Sequence, residues 1–306
     1  MLAKLEGFAT ALLGRLSGDD LGVVVADLRA LVDTVRDQRA LDSALTDTSF
    51  APLSRGAVVR DLLTGKVSPT TVRLAAYAAT ESPAPEVPRS FEELAHAART
   101  LAETGSIELP GLGLTEARHR VAGYADAVLE DVATERFARV ETELFEWART
   151  LEANPALRRV LLDRDAPLQA RLGLTDDLVG ARGDAVSIAL ARFVVIGGRP
   201  RDVIGTLDFL VDYVAAVREW RVARVRSARP LDDASREALR ASLSVLTGTP
   251  VELQVDVEPD LLGGVLVQVG DLRLDATTRG RLGTLRDAVA ATRGLVSVLD
   301  GPADNE

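Results

Sequence analysis

The chain contains no cysteine. That removes disulfides, thiolate zinc sites, iron–sulfur clusters and cysteine nucleophiles from consideration. Histidine is almost as scarce: His96 and His119 are the only two. They lie far apart in sequence, cannot build a multi-histidine metal site, and read as surface residues. Lysine occurs only at Lys4 and Lys66, neither beside an evident partner for lysine-based catalysis. No stretch approaches the ~18 uncharged apolar residues that would cross a bilayer, and the N-terminal MLAKLEGFATALLGRL lacks the long apolar centre of a signal peptide. The expectation is a soluble, cytoplasmic protein. A deficit of bases against acids, 36 to 46, gives a net charge of -10 and argues against polyanionic nucleic acid as a partner.

What is present is apolar and helical. Hydrophobic residues make up 47% of the 306 positions, enough for two or three folded domains. Leu5, Phe8, Ala9, Leu12, Leu13 and Leu16 recur at the spacing of one buried helical face. Asp19 and Asp20 read as caps of a second helix running to about Val35, with Leu21, Val24, Val25, Leu28 and Leu31 on its apolar side. Shorter helices follow near 38–45, 54–63 and 69–79, the last opened by Ser68 and Pro69. The three prolines of ESPAPEVPRS interrupt the pattern, and another helix is expected from about Ser90 to Ala102.

A shift of 116 residues lays the chain on itself without a gap. Gly7, Ala9, Ala11 and Leu13 meet Gly123, Ala125, Ala127 and Leu129; Phe8 meets Tyr124; Leu28, Arg55 and Leu74-Ala75 meet Leu144, Arg171 and Leu190-Ala191. Sixteen identities fall in the 72 positions from 6 to 77, and one unbroken register through five predicted helices argues a duplicated helical domain. The intervening ETGSIELPGLGLTEARH reads as a linker.

Past residue 221 the period changes from helical to alternating. VARVRSARPL can form a strand; VELQVDV sets Val251, Leu253, Val255 and Val257 on one side; GVLVQVG repeats the pattern through Val265, Val267 and Val269. Gly270-Asp271 is a tight-turn pair, so 264–269 and 272–275 should make a hairpin. Helices are expected at about 232–247 and 278–292. The fold class is therefore mostly α with a small α/β domain: two tandem six-helix-bundle-like domains followed by a C-terminal β-sheet/helix domain. The boundaries read as 1–105 for the extra, diverged copy, 106–116 for a linker, 117–221 for the second helical domain, 222–300 for the α/β domain and 301–306 for a tail.

Catalytic signatures are missing. There is no GxxxxGK[ST] loop, no GxGxxG, no GxSxG and no HExxH. The pairs Asp19-Asp20, Asp176-Asp177 and Asp232-Asp233 fall where helices should start, where they favour the positive helix end. Arg218, Arg221, Arg224, Arg226 and Arg229 crowd around Trp220 and read as a solvated face or a contact for an acidic protein. Nothing here calls for a cofactor, a metal or catalysis.

One segment is specific. In 251–285, an alternating strand leads to Leu262-Gly263-Gly264, then to Val267 and Gln268, Gly270-Asp271, Asp275 and Arg281-Leu282. Together these residues resemble the C-terminal signature of the delta subunit of F-type ATP synthase, the oligomycin-sensitivity-conferring protein family. HRVAGYADAVLE (119–130) is similar to that family's first helix, and RVETELFEWARTLEANPALRRVLLD (139–163) to its second and third. Residues 117–295 then account for one delta subunit, and 1–105 for an extra copy of its helical domain, as in long actinobacterial forms. The resemblance departs in a longer Gly/Pro-bearing spacer and in lacking a membrane helix.

The resemblance implies a non-catalytic stator subunit. It joins the F1 head to the peripheral stalk on the cytoplasmic face of the cell membrane, with no nucleotide, nucleic acid or membrane insertion of its own. It implies that the N-terminal helix of an alpha subunit lies between the first and fifth helices, and that the C-terminal domain holds the end of the b-subunit stalk. The walls in the second copy would be Val121, Tyr124, Ala125 and Val128 against Ala185, Ile188, Ala189 and Phe193. In the first they would be Leu5, Phe8, Ala9 and Leu12 against Val72, Ala75, Ala76 and Ala79. Each of these residues has an alternative reading as bundle core. The first copy is expected to take a second alpha helix or to wrap the b stalk, with a spacer role as the alternative. A helical adaptor unrelated to ATP synthase, and a hydrolase or transferase working through a carboxylate pair, stay open on residues alone.

Overall fold

The computed structural model describes residues 1–275 apart from 108, 164–165, 181–182, 248–250, 260, 262 and 270–271. The helix expected at 278–292 lies outside them. The chain divides into two units, Met1–Ala215 and Ala216–Glu306.

The first unit holds both helical copies up to Ala215 of the last helix. The first copy consists of α1 (Ala3–Leu13), α2 (Gly18–Asp37), α3 (Arg39–Thr46), α4 (Pro52–Leu63), α5 (Pro69–Glu81) and α6 (Val87–Thr104). The second consists of α7 (Leu114–Leu129), α8 (Phe137–Ala153), α9 (Pro155–Leu162), α10 (Leu168–Val179), α11 (Ala185–Gly197) and α12 (Val203–Arg221). Shifted by 116 residues, α3, α4 and α5 superpose end for end in sequence on α9, α10 and α11, and α6 and α12 start at matching positions. The repeat therefore reaches individual helix ends.

Local chemistry explains most of those ends and corrects some expectations. Ser17, not Asp19 or Asp20, caps α2: its hydroxyl accepts from the Asp20 amide, and the two acids occupy the first turn. Ser68 caps α5 as expected, accepting from the Thr71 amide at 3.2 Å. Asp176 and Asp177 lie in the last turn of α10, not at a helix start, and Asp176 is held 3.2 Å from Arg192. Helix α6 begins inside the proline-rich segment, because Pro88 sits in the first turn, where a missing N–H costs nothing. Helix α7 starts at Leu114, within the segment expected as linker, and Glu116 turns back to accept the Gly113 amide at 3.0 Å.

The copies are joined through their first helices. Helix α1 packs along α7 while also packing on α5 and α6 of its own copy. At the crossing, Gly7 lies against the carbonyl of Arg120 and Gly123 against the carbonyl of Lys4, so close that neither position has room for a methyl group. The two contacts are the same contact under the 116-residue shift, which makes the crossing a pseudo-twofold. Helix α1 is accordingly buried on more than the one face its leucines mark. Glu6, Gly7 and Ala11 are buried as well.

In the second unit, β1 (Val222–Ser227), α13 (Asp233–Thr247), β2 (Glu252–Val257), β3 (Val265–Val269) and β4 (Leu272–Asp275) form a four-stranded sheet in the order β2-β1-β3-β4. Strands β1 and β2 are parallel with α13 between them in sequence; β1–β3 and β3–β4 are antiparallel. Val269 faces Leu272, so the expected hairpin is present. Ala223, Val225, Val251, Val267 and Val269 form the core with Leu243 of α13. Val257 departs from its expected inward place and is 47% exposed at the end of its strand. The opposite face carries exposed Arg224, Arg226, Gln254, Asp256, Gln268 and Arg273, and Arg226 pairs with Glu258 at 3.2 Å.

Candidate helix-binding site

Two contacts, one aromatic and one polar, recur in both copies and build the same first-helix/fifth-helix corner twice. Phe8 of α1 stacks on Tyr77 of α5 with centroids 3.7 Å apart, and Tyr124 of α7 stacks on Phe193 of α11 at 3.8 Å. The amide of Ser68, which caps α5, donates to Asp27 at 2.8 Å; that of Asp184, which caps α11, donates to Glu143 at 2.7 Å. Each fifth helix is thus pinned at its N-terminus by an acid from the copy's second long helix, and along its length by a ring from the first.

The predicted wall residues divide by burial. Val121, Ala125 and Val128 are buried in the bundle, whereas Tyr124, Ile188 and Ala189 are half-buried and Ala185 is exposed. Phe193 is buried beneath Tyr124. In the first copy, Leu5, Phe8, Ala9, Leu12, Ala75, Ala76 and Ala79 are buried and only Val72 is half-buried. The outward row of α11 is Ala185, Ile188, Ala189, Arg192 and Ile196, one stripe at helical spacing, with Ile196 40% exposed.

Two groups of charged residues, unmarked by apolar periodicity, fasten the first helices beside this corner. The Arg120 side chain is only 3% exposed; it donates to Gly197 O at 2.9 Å, to Pro110 O at 2.9 Å and to Glu6 at 3.1 Å. At the related position, Lys4 reaches Glu81 at 3.1 Å and Asp126 at 3.4 Å. Asp126 also accepts from the Tyr77 hydroxyl at 2.5 Å and from Tyr213 at 2.6 Å, so one carboxylate gathers α1, α5 and α12 onto α7. Burial opposes the charge on Lys4, but Asp126 and Glu81 more than compensate and its pKa is raised. The signal available in the sequence was positional: Lys4 and Arg120 are basic residues at equivalent places of an otherwise apolar first helix.

Burial, reinforced for Tyr77 and Tyr213 by Asp126 and Glu81, pushes those two phenols above the ordinary tyrosine value. Burial raises Tyr124 too, against the opposing charges of Arg15 and Arg192. These three are all the tyrosines in the chain. Between the ordinary value of 10.0 and the higher native values, only the unfolded chain ionises, so stability falls as pH rises through that interval. An ultraviolet titration of the native protein should show little tyrosinate at pH 10.0, where free tyrosine is half ionised, and the signal should appear together with unfolding.

In the C-terminal signature, Gly263 and Gly264 take φ values of 139° and 82°, conformations open mainly to glycine, and lead the chain from β2 into β3. Asp275 ends β4 opposite Leu266. Leu262, Gly270, Asp271, Arg281 and Leu282 lie outside the described residues. His96 and His119 are exposed. Among the described residues no acid, histidine or cysteine cluster could hold a metal ion, and no helix is long and apolar enough to cross a membrane.

The comparisons with known proteins bear on the same regions. The family model for the ATP synthase delta (OSCP) subunit matches residues 121–289. An ATP synthase subunit delta of Nocardia farcinica is 33% identical over 92% of this chain and 95% of its own length. Those of Kineococcus radiotolerans and Parafrankia sp. are 32% and 34% identical, covering 89% of this chain and 90% and 86% of theirs. With more than half its length matched by the family model, and relatives above 30% identical along nearly all of it, the chain belongs to the ATP synthase delta (OSCP) subunit family.

Proposed function

We propose that the chain is the non-catalytic stator joint of a proton-translocating F1Fo ATP synthase, peripheral to the cytoplasmic face of the cell membrane. Its second helical copy holds the N-terminal helix of an F1 alpha subunit, and its α/β domain holds the C-terminal end of the b-subunit stalk. The head is thereby kept from turning with the rotor. The observation that carries the reading is the family match over 121–289, which takes in both the second copy and the sheet. In the groove, Tyr124, Ile188, Ala189 and Ala185 supply the contact surface, while buried Val121, Ala125 and Val128 set its position from below.

A joint of this kind needs slow dissociation and no chemistry. With association near ~10^6 M⁻¹s⁻¹, a lifetime of minutes corresponds to a Kd of roughly 10 nM, about -11 kcal/mol, within reach of apolar anchors at helical spacing. Membrane vesicles of the same organism, stripped of this subunit, provide the test. Without the chain they should hydrolyse ATP without acidifying; added back in full length, it should restore ATP-driven proton pumping. Failure of the added chain to rebind and recouple would overturn the reading.

A further inference from the structure

The two copies match so closely that a contact in one has a defined place in the other, and at the fifth helix they part. Where α11 carries Ala189, α5 carries Arg73. The Arg73 guanidinium donates to Glu130 at 2.8 and 2.5 Å and to the Ala127 carbonyl at 3.3 Å, and stands 3.5 Å from Asp131. It clamps α5 to the C-terminal end of α7 and closes the outward face of the first copy's fifth helix. The reciprocal contact would run from residue 189 to the end of α1, where Gly14 and Arg15 replace Glu130 and Asp131. Alanine and glycine cannot make it. The outward stripe of α11 stays open, with Ile188 and Ala189 half-buried and Ala185 and Ile196 exposed.

The rim of that stripe carries positive charge. Arg192 is engaged with Asp176 at 3.2 Å. Arg15 is exposed and makes no ion pair among the described residues. Under the 116-residue shift it takes the place of Asp131, which stands 3.5 Å from Arg73, so it falls at the equivalent edge of α11. Its charge opposes the upward push of burial on Tyr124. An apolar stripe beside an uncommitted cation fits an amphipathic helix with an acidic side chain at its edge.

We infer that the duplicated module is one-sided: the second copy alone takes a partner helix, on the outward stripe of α11 and with an acidic residue set against Arg15, while the first copy's matching face is taken up by Arg73 in bracing α7. The inference rests on the helix-binding reading above. It excludes a second alpha helix on α5.

Calorimetric titration of the full chain with a synthetic peptide of the alpha-subunit N-terminal helix from the same organism tests it. One peptide should bind per chain. Ala189→Arg, which copies the first copy's residue into the second, should weaken binding about 30-fold or more, as expected for an anchor at the centre of an interface. Ile196→Lys, at an exposed position that leaves the core intact, should weaken it about tenfold and keeps the test valid if Ala189→Arg melts early. Arg15→Glu should cost about fivefold at low salt and less at high salt. Val72→Arg on α5 should change nothing. Two peptides per chain, wild-type affinity in Ala189→Arg and Ile196→Lys, or loss of binding in Val72→Arg would overturn the one-sided module. Absence of binding by the wild-type chain would remove the helix-binding reading itself, and the inference with it.

Discussion

Alanine at position 123 should destabilise the chain by about 3 kcal/mol, at the upper end of what overpacking a tight site costs. Intrinsic helix propensity points the other way, favouring alanine over glycine by about 1 kcal/mol in a helix interior. The clash wins because the obstacle is backbone. A Cβ at Gly123 would sit on the Lys4 carbonyl, and no rotamer change can relieve that. The helices α1 and α7 must separate, and every buried contact along them loosens. Gly7→Ala, facing the Arg120 carbonyl, should behave alike. The double variant should cost much less than the two effects added, since one methyl already forces the separation that the other needs. Urea unfolding of the wild type and the three variants measures this. A Gly123→Ala protein at least as stable as wild type would show that the crossing is not close-packed.

Arg120→Ala should cost about 3–5 kcal/mol, the range for removing one member of a buried ion pair. The truncation leaves Glu6 without its cation and takes the only side-chain donor from Gly197 O and Pro110 O that is seen among the described residues. Glu6→Gln should be milder, about 1–2 kcal/mol, because a neutral amide oxygen still accepts from the guanidinium. The same unfolding experiment separates the two. Equal losses would mean that charge pairing, not the guanidinium's span of three acceptors, holds the corner.

Helical periodicity made most helices of the first unit legible, and alternation made β1 to β4 legible, because both depend on where apolar side chains recur. The repeat was legible for the same reason: Leu28, Leu41, Leu45 and Leu74 keep their places at 144, 157, 161 and 190. The pairing of α1 with α7 was not. Its surface consists of Gly7, Gly123 and their neighbours, and small residues leave no mark in an apolar pattern. Nor could periodicity find Glu6, Arg120 or Asp126, which read as the wet side of a helix and are instead the fastening of two copies. The acidic pairs divide: Asp19 and Asp20 do sit at a helix start, though Ser17 does the capping, whereas Asp176 lies at the far end of its helix and answers Arg192 across to α11. Of the candidate groove, the helix pair came from the family resemblance and helical spacing supplied its wall residues, but which side chains stand outward depended on burial that only the assembled bundle decides.

The crossing of α1 over α7 also orders events during synthesis. Helix α1 is made before α7 with apolar residues on several sides, and its partner follows only after more than a hundred further residues. Until then Leu5, Phe8, Ala11 and Leu12 can be only partly covered by the first copy's own helices. A nascent chain of this protein therefore passes through a stage with a sticky α1, and a chaperone or slow early folding would serve it there. Only once α7 has emerged can the α1–α7 crossing form, and the second copy is completed when α8 to α12 follow.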